Sequence, residues 1–221
     1  MKKLFIDCGT ANFTGLNYFK KLYSFTNDNT KIICFEANPI TYESYPVPSS
    51  IQHLDIEHYN LAVSDTNEIV TINCCEVEHD NLTRYKKSLR LLYRIRFALA
   101  RLVGKYPEFT AQGSNILDIP PIQDGDAKFR YKKLNVKSVR LSEYILNNYT
   151  KYSEINIKMD IEGSEFAVID DLVASKAYLH INKMYVEFHE RFFEDQELYY
   201  IKKQAYINLF KQNNKELVEW V

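Results

Sequence analysis

The sequence is poor in glycine, proline, cysteine and tryptophan. Its 221 residues include only 6 Gly, 6 Pro, 4 Cys and 1 Trp. So little Gly and Pro excludes a linker-rich or fibrous chain. Four cysteines (Cys8, Cys34, Cys74, Cys75) make no disulfide framework in a chain of this length, and no Cys/His spacing suits structural zinc. No apolar run approaches the ~20 residues of a membrane span. The N-terminus enters Lys2-Lys3-Leu4-Phe5-Ile6-Asp7 without the apolar core of a signal peptide. The net charge is −1 and the pI is near 6.5, so a general nucleic-acid footprint is lacking too. These absences predict a soluble, reduced, cytoplasmic protein with no nucleic-acid partner. What is present is ordinary for a globular chain: 46% apolar and 26% charged residues, enough for one large domain.

Short, β-rich apolar runs alternate with helical segments, which predicts an α/β fold: a mostly parallel central sheet with helices on both faces. Strands are expected at Lys3–Cys8, Lys31–Phe35, Asn60–Val63, Asn135–Leu141, Ile155–Asp160, Lys183–Phe188 and Glu216–Val221, with an added antiparallel strand at Glu68–Cys74. Helices are expected at Thr14–Phe25, after Pro39, after a capping Ser142, at Glu165–Val173 and at Phe193–Lys211. From about 76 to 133 the alternation breaks. That stretch reads as an insertion with one basic helix, Ser88–Val103, and a loop holding Gly113, Pro120, Pro121 and Gly125. The whole chain, 1–221, is expected to be a single domain. Both ends lie close to strands, so it is either a minimal fold or a domain cut from a multidomain polypeptide.

The candidate chemistry sits at predicted strand ends. Asp7-Cys8-Gly9 puts a carboxylate and then a glycine after the first strand, as a nucleoside-binding crevice requires. Glu36 ends the second strand, where a carboxylate reaches ribose hydroxyls, and the Asp7–Glu36 pair favours S-adenosylmethionine over NAD. The fingerprint G-x-G-x-x-G is absent. In Lys158-Met159-Asp160-Ile161-Glu162-Gly163-Ser164-Glu165, strand alternation turns Lys158, Asp160 and Glu162 to one side. Glu165 reads as a favourable acid in a first helical turn. Glu187 and His189 share a face at the next strand end, and with Asp160 they make either a divalent-metal site or a general base with its orienting partner.

The segments FIDCGTANFTG, CFEANPITYE, NLAVSDTNEIVTI, VKSVRLSEYI, INIKMDIEGSEFAVIDDL and YVEFHERF, in this order, resemble the FkbM family of class I S-adenosylmethionine-dependent methyltransferases. The resemblance spans Leu4 to about Phe193. It implies a Rossmann-like fold and methyl transfer to a hydroxyl, commonly on a sugar or glycan. It further implies that Asp7 and Gly9 line the methionine part of the cofactor, with Thr10, Asn12 and Phe13 also among the cofactor-binding residues. Glu36 would bind the ribose, Ala37 would be a further cofactor contact, and Ala62, Val63 and Ser64 would lie near the adenine. Asp160, Glu187 and His189 would form the reaction centre, with Mg or Mn as a candidate ion on the same three residues. One departure stands out: where the family has a second glycine, this chain has Phe13, so a different turn is expected.

Between Arg84 and Lys105 there are eight basic residues and no acid, which leaves the rest of the chain acidic. Arg90, Arg94, Arg101 and Lys105 lie on one helical stripe, and Leu91, Ile95, Ala98 and Leu102 on another. Three readings stay open. The stripe is a solvated face, or a lid gripping the phosphate of a nucleotide-sugar or lipid-linked acceptor, or a helix lying on an anionic membrane. Under the second reading Arg90, Arg94, Ser114 and Glu162 contact the acceptor. Alternatives to sugar methylation are a non-catalytic glycan- or nucleotide-binding module and a methyltransferase for another small molecule. Linked glycosyltransferase domains would fit a multidomain glycan-building enzyme.

Overall fold

The computed structural model describes residues 1–77 and 129–220. In chain order its elements are β1 (Lys3–Cys8), α1 (Thr14–Tyr23), β2 (Thr30–Phe35), α2 (Pro39–Ser44), β3 (Asp55–Tyr59), β4 (Ala62–Ser64), β5 (Ile69–Val77) and β6 (Phe129–Arg140). They continue with α3 (Leu141–Leu146), β7 (Ile155–Met159), α4 (Glu165–Ala174), β8 (Lys183–Val186), α5 (Gln196–Gln212) and β9 (Glu216–Glu219). The buried apolar runs pair into a parallel six-stranded sheet of order β3-β2-β1-β7-β8-β9. From β1 the chain builds outward to β3, then returns to the other side of β1 with β7. The strand order therefore reverses between β1 and β7, where such sheets open a ligand crevice at their carboxyl ends. This is the expected Rossmann-like α/β architecture.

Strand alternation fills both faces of the sheet. Leu4, Ile6 and Cys8 of β1 join Ile157, Met159, Ile169, Leu172 and Phe210 in a core under α3, α4 and α5. Phe5 points the other way, into an aromatic core with Leu16 and Phe19 of α1 and with Phe25 and Tyr185. Its ring lies 5.1 Å from that of Phe19 and 5.0 Å from that of Phe25.

Three expectations need correcting. The third strand of the main sheet is Asp55–Tyr59, not Asn60–Val63. Its polar alternation hides it, because Asp55 and Glu57 are held by Lys2 and Lys31 of neighbouring segments at 2.6–2.7 Å. Ala62–Ser64 instead joins a separate three-stranded sheet of order β4-β6-β5. Ser142 does not cap α3, whose N-cap is Arg140. The Ser142 hydroxyl donates to Asp171, which also receives Arg140 Nη2 at 2.5 Å.

The added strand is indeed antiparallel, β5 pairing β6 up to Val77↔Phe129. The expected basic helix Ser88–Val103, with Arg90, Arg94 and Ser114, lies outside the described residues. Among the described residues no helix is long and apolar enough to cross a membrane.

Candidate functional site

The crevice begins at Gly9. Its φ is +78°, and a Cβ there would stand 1.8 Å from the carbonyl oxygen of Asp160, so only glycine fits. The two turns also share a hydrogen bond, the Asp160 amide donating to the Cys8 carbonyl at 3.0 Å. The amides of Gly9 and Thr10 donate to the Phe35 carbonyl at 3.0 and 3.1 Å, tying the β1 turn to β2. Asn12 Oδ1 accepts from the Thr14 amide at 3.1 Å. Phe13 adopts φ +65°, the left-handed conformation a glycine would take without strain, and its ring is wholly buried. The buried ring holds the turn in that conformation.

Phe13 meets His58 edge-on at 4.9 Å, and Tyr42 packs against the same imidazole at 4.4 Å. His58 Nε2 is buried without a hydrogen bond, and burial pushes its pKa from 6.5 down to about 4. The stability this group contributes is therefore present above pH 6.5 and lost as the pH falls towards 4. Replacing His58 by Phe should flatten the decline in melting temperature across that window. A decline as steep as the wild type's would clear His58 of the effect.

Glu36 closes the other side of the turn. Its carboxylate accepts from the Ala11 amide at 2.9 Å and the Asn38 amide at 2.8 Å. Burial pushes its pKa up, against those two amides. Asp7 is buried below the crevice rather than open to it. Its carboxylate has Lys158 Nζ at 3.4 Å, and burial raises its pKa against that charge. Ala37 packs beside the small core of Ala62, Ile72, Cys74 and Val136, and Val63 joins the main core. The side chains of Ala62 and Val63 are committed to packing, so a ligand there would meet backbone. Ser64 bonds Asp65 at 3.0 Å.

The reaction-centre candidates come from β7 and β8. After Met159 the chain turns through Glu162 (φ +55°) and Gly163 (φ +103°) into α4. Glu165, fully buried at the start of that helix, bends back. One oxygen accepts from the Ile161 amide and the other from the Gly163 amide, both at 2.9 Å. Glu165 Oε1 also lies 2.9 Å from His189 Nδ1. A carboxylate there fixes the proton on Nδ1, which leaves Nε2 of the neutral ring as acceptor. His189 is 1% exposed, and its Nε2 faces Glu162 at 3.4 Å, Glu187 at 3.7 Å and Asp160 at 4.0 Å. Burial lowers the His189 pKa, but Glu165 and the other acids outweigh it and the net shift is upward. Burial and the neighbouring acids push Glu162 up to about 7, against the pull of His189.

The structure thus gathers Asp160, Glu187 and His189 as expected and adds Glu162. Asp160, Glu162 and His189 each offer a ligand atom within 4.8 Å of the others, whereas the expected trio had Glu187 in place of Glu162. Two residues escaped the sequence reading of the site. Glu165 reads from the sequence as an ordinary helix-start acid, whereas in the structure it braces the turn and reaches back to His189. Lys158 is a charge inside a wholly buried strand, INIKM, and that incongruity is the available signal. A cleft of about 300 Å³ opens beside the turn, with Ser64, Gly163, Ser164, Phe193 and Tyr199 in its wall.

A family model described as Methyltransferase FkbM domain matches residues 7–217. No curated protein and no solved structure matches the chain.

Proposed function

The chain belongs to the FkbM methyltransferase family, and from that premise we propose that it is an S-adenosylmethionine-dependent O-methyltransferase acting on a hydroxyl of a sugar or glycan. The residues around the switch point suit the cofactor. Gly9 lets the β1 turn close against the Asp160 carbonyl at the head of the crevice, and Glu36 offers a buried carboxylate where ribose hydroxyls are received. When bound, the cofactor would supply a methyl group activated by its sulfonium sulfur, with Glu36 and the Gly9 turn as the residues that would hold it.

The observation that carries the reading is the Glu165–His189 pair. A sugar hydroxyl is a weak nucleophile and must lose its proton as it attacks. His189, with Nδ1 fixed by Glu165, presents Nε2 to take that proton, and the resulting imidazolium is held by four carboxylates. Asp160 and Glu187 flank the same point and orient the hydroxyl. Phe193 and Tyr199 in the adjoining cleft suit the apolar face of a pyranose. The basic run Arg84–Lys105 suits an acceptor carrying phosphate, whether a nucleotide-sugar or a glycan on a lipid at a membrane surface.

A second reading has its own observation. Asp160, Glu162 and His189 are a donor set for a divalent ion, which would lower the pKa of a bound hydroxyl directly. Their carboxylates suit Mg or Mn, and the imidazole favours Mn of the two. Calorimetric titration with S-adenosylhomocysteine, in EDTA and in added Mn, tests both readings. Micromolar binding that weakens at least tenfold in Glu36→Ala is expected. No binding in either condition sinks the cofactor assignment. Turnover of S-adenosylmethionine over a panel of sugars in EDTA supports His189 acting alone, and turnover only with Mn supports the metal. Binding without turnover on any sugar leaves the non-catalytic module.

A further inference from the structure

Lys158 lies in the middle of the central sheet, 3% exposed, paired in register with Asp7 of β1. Taking an ammonium out of water is costly unless its surroundings repay it. Burial pulls its pKa down, but Asp7 and Asp160 outweigh burial and keep it charged. Trp220 roofs the ammonium at 5.3 Å, and Gly15 of α1 stands so close that a Cβ would come 3.0 Å from the Trp220 ring and 3.6 Å from Lys158 Cε.

The ammonium pairs with Asp7 Oδ1 at 3.4 Å, but that is not its shortest contact. The shortest bond from Nζ, at 2.7 Å, goes to the carbonyl of Gly9, in the turn after β1. Asp160 Oδ2, in the turn after β7, lies 3.5 Å away on the same ammonium. We propose that Lys158 is a positioning residue that locks the Gly9 turn to the Asp160 carboxylate, so that the cofactor side and the reaction side of the crevice are held in one register. The consequence for cofactor binding rests on the methyltransferase reading, whereas the locking of the turns does not.

The test removes the ammonium without stranding a buried charge. D7N is the reference and D7N/K158M the probe. Hydrogen exchange at the Gly9, Thr10 and Ala11 amides reads the turn, and calorimetry reads S-adenosylhomocysteine affinity. D7N/K158M is expected to exchange those amides at least tenfold faster than D7N and to bind S-adenosylhomocysteine at least tenfold more weakly. Exchange within twofold of D7N overturns the locking role, and loosened amides with unchanged affinity overturn its link to cofactor binding. If the wild type itself binds no S-adenosylhomocysteine, the functional reading falls while the exchange comparison still decides the locking. Should D7N/K158M not fold, D7N/K158Q keeps a polar end in that space and carries the same comparison.

Discussion

Gly9→Ala is expected to abolish S-adenosylhomocysteine binding and to lower the melting temperature by roughly 10 °C, at 2–4 °C per kcal/mol for a chain of about this size. Two costs add. A side chain at φ +78° is strained by about 1–2 kcal/mol. The new Cβ, 1.8 Å from the Asp160 carbonyl oxygen, then forces the β1 and β7 turns apart. That separation strains the Asp160–Cys8 backbone hydrogen bond and the Lys158–Gly9 bond, worth about 1–2 kcal/mol more. The affected backbone is itself the floor of the crevice, so binding falls further than stability. Thermal unfolding and calorimetry on the same sample check the pair of effects. Binding within threefold of the wild type would mean that the crevice does not lie over Gly9.

Much of this arrangement could be read from the chain because buried parallel strands advertise themselves. KIICF and INIKM are apolar runs of strand length between turn signals, and β1, β2, β7 and β8 stand where those runs predict. The strand-end acids follow from the same logic, since the last residue of such a strand faces the crevice. Hence Glu36, Asp160, Glu187 and His189 were all within reach. Asp55–Tyr59 was not. An edge strand stabilised by Lys2 and Lys31 has no apolar signature, and its polar pattern resembles a loop. The parts of the site set by turn geometry were hidden for a related reason. Glu162, already expected beside Asp160, meets His189 only because its backbone is left-handed, and Glu165 reaches that ring by folding back over its own turn. Sequence spacing reports neither movement. Ala62 and Val63 show a different limit, because linear resemblance places them near a ligand without showing that their side chains fill two cores and leave only backbone to meet it.

Replacing His189 by Ala is expected to lower kcat by about 10²–10⁴, the usual worth of a positioned general base, with S-adenosylhomocysteine affinity within about threefold of the wild type. The pH dependence gives the sharper test. A base must be unprotonated to act, and the carboxylates raise the His189 pKa above its ordinary 6.5. The acid limb of kcat should therefore have its midpoint above pH 6.5, activity rising with pH. Glu165 is the foremost of the influences that raise it. Glu165→Gln keeps the volume but removes the charge, and offers one acceptor oxygen to the Ile161 amide, the Gly163 amide and His189 Nδ1. That variant should lose much of its kcat through the misplaced ring proton, while its remaining acid limb moves to lower pH. If the two residues act as a unit, Glu165→Gln in the His189→Ala background costs little more than His189→Ala alone. Multiplying losses would assign them separate duties, Glu165 to the turn and His189 elsewhere. A His189→Ala enzyme whose residual rate no longer responds to Mn, beside a wild type that does, would move His189 from the proton to the ion.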